Sequence, residues 1–370
     1  MNNYDVVIVG AGISGITLAE RYANIKNFKV LIIDKREHIG GNCYDYYDNN
    51  GILVSKYGPH YFHTNDEGVW KYVSLFTKWN PYEHRVLGHV DGKIVPIPIN
   101  MDTINILFGL SLETEDEVEK WLNKEREHID DPKNSEEVAL SLIGRRLYEK
   151  IFKGYTTKQW DKQPSELDPS VIKRIPVRTD RDDRYFTDKY QAMPENGYTS
   201  MFNKMLDHKN ITLRTGTDWS DVKNTVKYKK LFFTGKIDSY FEHKFGKLEY
   251  RSLKFEFETI KKEYFQRTAQ ENYPNIDIPY TRIVEYKHAT GQTNPYTVIS
   301  KEYPTWEGEP YYPVPSESNK QLYQKYQEIA ERKSKDGVYF VGRLANYKYM
   351  NMDQAFRNSL NIFKNTKNLN

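Results

Sequence analysis

The stretch YDVVIVGAGISG, residues 4–15, decides how the rest of the chain is read. Val6, Val7, Ile8 and Val9 form an apolar, β-branched run with no polar face. That is the pattern of a strand buried on both sides of a parallel sheet. Gly10, Ala11, Gly12, Ile13, Ser14 and Gly15 spell G-x-G-x-x-G, and residues 16–22 continue with helical character. In such a loop the first glycine permits the tight turn and the second admits a pyrophosphate to the backbone. The third lets helix pack on strand, and the helix N-terminus faces the phosphates. A second apolar run at 29–33 ends in Asp34. An acid roughly 20 residues after the first glycine suits a ribose hydroxyl pair. A glycine-rich turn by itself can be structural. Strand, glycines, helix, strand and acid in succession predict a dinucleotide site.

Composition limits what can be built on that site. At 370 residues the chain exceeds one ordinary core, so two or three domains are expected. Lys plus Arg number 54 against 51 acidic residues, a net charge of +3 that argues against nucleic acid as a partner. The one cysteine, Cys43, excludes an internal disulfide and a cysteine-built zinc site. The start lacks a basic region, and Asp5 precedes the first apolar run, so no secretory signal is read. No apolar run reaches the roughly 18 residues of a membrane span, and a cytoplasmic location is expected. The 30 tyrosines and 6 tryptophans suit sugars and stacked bases, although coding bias covers much of the excess. Only tyrosines inside motifs carry weight.

Further along, EHIGGNCY at 37–44 passes two glycines close to a ligand, and KYGPHYFHT at 56–64 holds His60 and His63 three apart. No carboxylate cluster accompanies the two histidines, and an extended aromatic stretch is not a helical ligand pair, so no metal is expected. Residues 100–165 turn helical. Thr114 with Glu117 makes a capping box, Ser135 opens a helix with Val138, Leu142, Leu147 and Ile151 on its apolar side, and Gly154 interrupts the pattern. Near the C-terminus, DGVYFVG at 336–342 reads as a buried strand, and residues 353–363 as an amphipathic helix.

Taken in order, these motifs resemble a known family. GAGISG at 10–15, DKR at 34–36, HIGGN at 38–42, YGPHYFHT at 57–64 and PIPIN at 96–100 are similar to UDP-galactopyranose mutases of the bacterial type. The likeness continues through KGYTTKQW at 153–160, KRIPVR at 173–178, PYTR at 279–282, YYP at 311–313, VGR at 341–343 and YMNMD at 349–353. It implies an α/β fold with a Rossmann-like FAD-binding domain (1–80, 193–245 and 315–370). A helical insertion with a mobile lid (100–172) and an antiparallel-sheet substrate domain (81–99, 173–192 and 246–314) complete it. FAD, active when reduced, is then held by Gly10, Gly12, Ile13, Ser14, Gly15, Asp34, Lys35, Gly41, Asn42, His60, Arg343, Met350 and Asp353. The substrate, a UDP-sugar, meets Phe152, Tyr155, Thr156 and Trp160, which read equally as helix-end packing, and Tyr185, Tyr312 and Tyr349, each of which packs equally well as ordinary core.

The implied reaction interconverts UDP-galactopyranose and UDP-galactofuranose, for cell-surface glycans, with no net redox change. Reduced flavin N5 attacks the anomeric carbon and displaces UDP; the sugar opens, recloses through its other hydroxyl and takes UDP back. Arg174 and Arg282 are the catalytic pair for the diphosphate, because a guanidinium offers fixed paired donors and stays charged. His60 stands beside the flavin as a speculative acid or base, or simply as a packed histidine. An external electron donor for the flavin and a homodimer are implied partners. Alternatives are a mutase for UDP-N-acetylgalactosamine or a dTDP-deoxyhexose, a flavin amine oxidase-like oxidoreductase, and a non-catalytic sugar-nucleotide binder. Cys43 departs from relatives that often carry a small hydroxyl residue there.

Overall fold

The computed structural model describes residues 2–368. The first strand, Asn2–Val9, lies third in a five-stranded parallel sheet. Its neighbours are Val30–Ile33 on one side and Val226–Phe233 on the other, with Ile211–Arg214 and Val338–Phe340 at the edges. Val6, Val7 and Ile8 are fully buried, as a run without a polar face requires. The helices Ile13–Lys26 and Met352–Thr366 pack together beside this sheet; Tyr22 meets Phe363 edge-on at 5.0 Å and its hydroxyl meets Thr366 Oγ1 at 2.7 Å. The chain thus opens and closes on one α/β platform, a Rossmann-like arrangement.

A second sheet has seven strands in the order Tyr312–Pro313, Tyr250–Ile260, Thr297–Thr305, Arg282–Glu285, Gln270–Asn272, Val86–Val90 and Lys93–Ile97. Every neighbouring pair is antiparallel except Gln270–Asn272 with Val86–Val90. The stretch 173–192, expected in this layer, contributes no strand to it and touches its margin through one antiparallel bridge, Arg184 with Arg85. Its turns and loops lead to Tyr190–Pro194, which pairs instead with Phe62–Thr64 and Trp79–Pro81. Two arginines in that stretch bond locally: Arg178 donates to the Asp182 and Arg184 carbonyls, and Arg184 pairs with Asp182.

The helical insertion is built as its sequence predicts, with two corrections. The capping box of Thr114 and Glu117 starts Glu115–Glu125. The next helix, Ser135–Leu147, is capped by Asn134, whose side chain accepts the Glu137 N–H at 2.9 Å. The Ser135 hydroxyl reaches the Asp168 carbonyl instead, at 2.6 Å, and ties down the stretch after Trp160. Gly154 does not break the helix; a π-helical turn, Tyr148–Lys153, carries it on into Gly154–Trp160. The interruption is at Gly144, with φ 73° and ψ 170°, where a Cβ would lie 1.9 Å from the Glu125 carbonyl oxygen. Gly144→Ala is therefore expected to destabilise the protein by about 3 kcal/mol through backbone strain and overpacking. Chemical denaturation measures this, and an unchanged midpoint contradicts it.

Candidate active site

The glycine loop is packed so that only hydrogen fits at its turning points. A Cβ at Gly10 would lie 2.0 Å from Thr234 Oγ1, and one at Gly15 would lie 1.9 Å from the Gly10 carbonyl oxygen. A Cβ at Gly41 would lie 3.0 Å from Gly12 Cα, so the GGN turn crosses the mouth of the loop backbone to backbone. The helix Ile13–Lys26 begins at Gly12 with no side-chain cap, which leaves first-turn amides to a ligand anion. Asp34 is fixed at the same mouth: its Oδ2 accepts the Ala11 N–H at 2.7 Å and its Oδ1 the Arg36 N–H at 2.9 Å. Each oxygen keeps lone-pair capacity for a hydroxyl. Close glycines, an uncapped helix start and an anchored acid fit a dinucleotide in this cradle.

The C-terminal motifs arrive at the same place. A Cβ at Gly342 would lie 2.8 Å from Ser14 Oγ, so the VGR turn sits on the first helical turn. Arg343 donates to the Met350 carbonyl at 2.6 Å, folding the intervening residues into a loop, and the Met350 side chain is buried. Asp353 accepts the Thr64 hydroxyl at 2.9 Å and so locks the histidine strand to the last helix. Ile13 packs against the core cluster beneath the loop. Two predicted cofactor residues meet side chains instead. Lys35 pairs with Glu309 at 2.8 Å in solvent, and Asn42 Oδ1 accepts both terminal Arg36 nitrogens at 3.0 Å.

Beneath the cradle lies a layer of buried polar groups. His60 Nδ1 is 3.0 Å from the Gly58 carbonyl, which can only accept, so Nδ1 carries the proton and Nε2 presents a lone pair. Burial, aided by the Arg343 charge, holds this imidazole down to about 4, so it is neutral at physiological pH. It is therefore an acceptor there, not a resting acid. His84 stacks on Tyr61 at 3.8 Å and is held down to about 3, chiefly by burial. His63 bonds Asp188 at 2.9 Å and stacks on Phe186, and among the described residues no three His, Cys, Asp or Glu side chains group as a metal site. Burial pushes the Cys43 thiol up to about 12, and it packs inert.

The predicted substrate residues converge on one cavity. Tyr349 keeps 41% of its surface accessible, so its ring is open to a ligand. The Arg174 guanidinium lies 4.5 Å from the centre of its ring and that of Arg343 5.0 Å, while Tyr312 stacks against it at 6.3 Å. Trp160 meets Tyr312 edge-on at 6.2 Å, and Phe152 and Thr156 are buried one helical turn apart. Tyr185 packs on the same cluster as Phe152 and Trp160. Burial raises the phenols of Tyr155, Tyr185 and Tyr312. Tyr349 is the exception: burial pushes it up, but Arg174, Arg343 and Arg282 together pull it below its ordinary value. Three positive charges therefore act on one ring.

Among the described residues, only one of those charges has a carboxylate partner. Arg282 Nε donates to Glu302 Oε2 at 2.6 Å, and its terminal nitrogen donates to Gln270 Oε1 at 3.2 Å. Glu302 is 1% exposed, and its other oxygen has no hydrogen-bond partner among the described residues. Sequence reading missed Glu302, Gln270 and His84. Glu302 is recognisable only through strand register, which sets it directly opposite Arg282. Arg174 and Arg343 form no ion pair among the described residues; Arg174 Nε reaches the Val171 carbonyl at 3.3 Å.

Comparison with known proteins places this geometry. The family model for UDP-galactopyranose mutase matches residues 150–349, and one for NAD(P)-binding Rossmann-like domains matches 8–76. A Klebsiella pneumoniae protein named "Probable UDP-galactopyranose mutase" is 41% identical, over 97% of this chain and 94% of its own length. A dTDP-fucopyranose mutase of Escherichia coli is 38% identical over 96% of each chain. In structure, a reduced UDP-galactopyranose mutase superposes with a TM-score of 0.80 at 16% identity, covering 99% of this chain and 96% of that one.

The two buried imidazoles make stability fall in acid. Each has an ordinary value of 6.5, against about 4 for His60 and about 3 for His84 in the fold. As pH drops below 6.5 the unfolded chain takes up protons that the folded chain refuses, so stability declines through that window. Near pH 5 each imidazole accounts for about 2 kcal/mol. His84→Gln should lessen the loss of unfolding free energy between about pH 7 and 5 by that amount. An unaltered pH slope in urea titrations contradicts it.

Proposed function

The chain belongs to the UDP-galactopyranose mutase family, and from that membership we propose a flavin-dependent isomerase that interconverts UDP-galactopyranose and UDP-galactofuranose without net redox change. The observation that carries this reading is the arginine triad acting on Tyr349 with a single carboxylate partner among the described residues. A sugar diphosphate ester brings the two negative charges that such a cavity lacks. The cofactor assigned is FAD, in the cradle of Gly10, Gly12 and Asp34. Bound in its reduced form, it supplies the nucleophile toward the anomeric carbon.

The chain's own residues bind, orient and exclude water. Phe152, Tyr155 and Thr156 hold the uridine on the helix Gly154–Trp160 and the π-helical turn before it. Arg174 and Arg282 take the diphosphate and stabilise the charge that develops as the bond from anomeric carbon to phosphate oxygen breaks. Glu302 and Gln270 hold Arg282 at a fixed angle for that task. Residues after Trp160 cover the nucleotide and keep water from a reactive sugar. The neutral His60 offers its Nε2 lone pair to a cofactor or sugar donor. An external electron donor for the flavin, a homodimer, a cytoplasmic location and the supply of galactofuranose to cell-surface glycans belong to the same reading. No helix of the described residues is long and apolar enough to cross a membrane.

The Escherichia coli relative supports a second reading, a dTDP-deoxyhexose substrate on the same machinery. The test is chromatographic. Purified protein is incubated with UDP-galactofuranose or the dTDP-fucose pair, with and without dithionite. Conversion of the UDP-sugar only under reduction is expected; conversion of the dTDP-sugar alone selects the second reading, and no conversion with reduced flavin bound overturns both. Arg174→Ala and Arg282→Ala should each lower kcat by about 100-fold or more while flavin absorbance is retained. Near-normal turnover in either contradicts the diphosphate assignment.

A further inference from the structure

Lys158 has no part in the site as described, yet its surroundings are unusual. It lies four residues after Gly154, so the two share a face of the helix Gly154–Trp160. That face meets loop 273–281, which joins the strands Gln270–Asn272 and Arg282–Glu285. A Cβ at Gly154 would lie 2.3 Å from the Pro274 carbonyl oxygen, so helix and loop touch backbone to backbone. One turn on, Lys158 Nζ donates to the carbonyls of Tyr273, Asn275, Ile278 and Tyr280 at 2.5, 2.8, 2.9 and 2.9 Å. An ammonium has three protons, so four acceptors share them. No carboxylate pairs with Lys158 among the described residues, and burial alone pulls its pKa down to about 8. The loop has closed its carbonyl dipoles around a cation, as carbonyl rings close around an alkali ion.

This cage joins two parts of the site. The helix carries Tyr155, Thr156 and Trp160, and the last caged carbonyl, that of Tyr280, lies two residues before Arg282. We propose that Lys158 is a positioning residue: its caged ammonium fixes the spacing between the helix that grips the nucleotide and the arginine that grips the diphosphate. The inference rests on the sugar-nucleotide reading above. Without the charge, four converging carbonyls repel one another and the loop relaxes, carrying Arg282 away from the Tyr155 side. A misplacement on the order of 1 Å in such a contact lowers rate or affinity by 10-fold to 100-fold.

Flavin-loaded Lys158→Ala is titrated with UDP by calorimetry, and its turnover measured, with and without methylammonium. Tetramethylammonium, which carries the charge but no N–H donor, is the control. The expected result is a rise of roughly tenfold or more in the Kd for UDP. Methylammonium should reverse it saturably and tetramethylammonium should not. UDP binding within about twofold of wild type, or a loss in folded protein that methylammonium leaves untouched, overturns the proposal. If the alanine variant does not fold, Lys158→Met keeps the aliphatic stem, and wild-type UDP affinity in it overturns the proposal equally. Failure of the wild-type protein to bind UDP would instead refute the functional reading.

Discussion

Two guanidiniums that form no ion pair among the described residues, set against one tyrosine ring beside a third that has a carboxylate, set the terms for the rest of this structure. Crowding like charges around one ring is unfavourable, and a ligand of opposite charge relieves it. Here the strain is partly relieved by aromatic faces: Arg174 and Arg343 both lie over Tyr349, whose ring presents its negative quadrupole to them. Their combined field outweighs the effect of burial on that phenol. In the proposed function a doubly charged diphosphate completes the balance, while Glu302 holds Arg282 through its Nε.

The fold exists to bring those charges to the mouth of the dinucleotide cradle. Arg174 comes from the helical insertion, Arg282 from the seven-stranded sheet and Arg343 from the return of the chain to the parallel sheet. Each is fixed by contacts from a different layer: the Val171 carbonyl, the Glu302 carboxylate and the Met350 carbonyl. Short ties bind the layers, such as Arg251 of the seven-stranded sheet, whose Nε donates to the Gln159 carbonyl of the helical insertion, and Arg343, which donates to the Tyr311 carbonyl. Arginine positions that depend on three independent layers are rigid only when the layers are docked. This explains why so much buried polar structure, including His84 and Tyr61, lies between them.

Much of this was legible from residues 4–15 and from motif order. The VVIV run and glycine spacing determine a buried parallel strand and a tight turn by sterics alone, so they read correctly at short range. The capping box at Thr114 is equally local. What stayed hidden depends on long-range register. Glu302 is one acid among many until strand pairing sets it opposite Arg282. Gly154 reads as a helix breaker, but its missing side chain serves the Pro274 carbonyl, whereas the break falls at Gly144 under the Glu125 carbonyl. Lys35 follows the ribose acid in sequence, yet its side chain is drawn to Glu309 on a distant segment. Residues 173–189 alternate like strands, but local arginine–carbonyl bonds hold them as loop.

The central claim is that the cavity recognises a diphosphate by paired guanidiniums. Calorimetric titration of the flavin-loaded protein with UDP and with UMP, at matched ionic strength, tests it most directly. The account predicts that UDP binds roughly 100-fold more tightly, the worth of about 3 kcal/mol in charge-assisted hydrogen bonds to the second phosphate. Equal affinities for the two nucleotides would mean that the arginines do not meet the diphosphate, and would contradict the account.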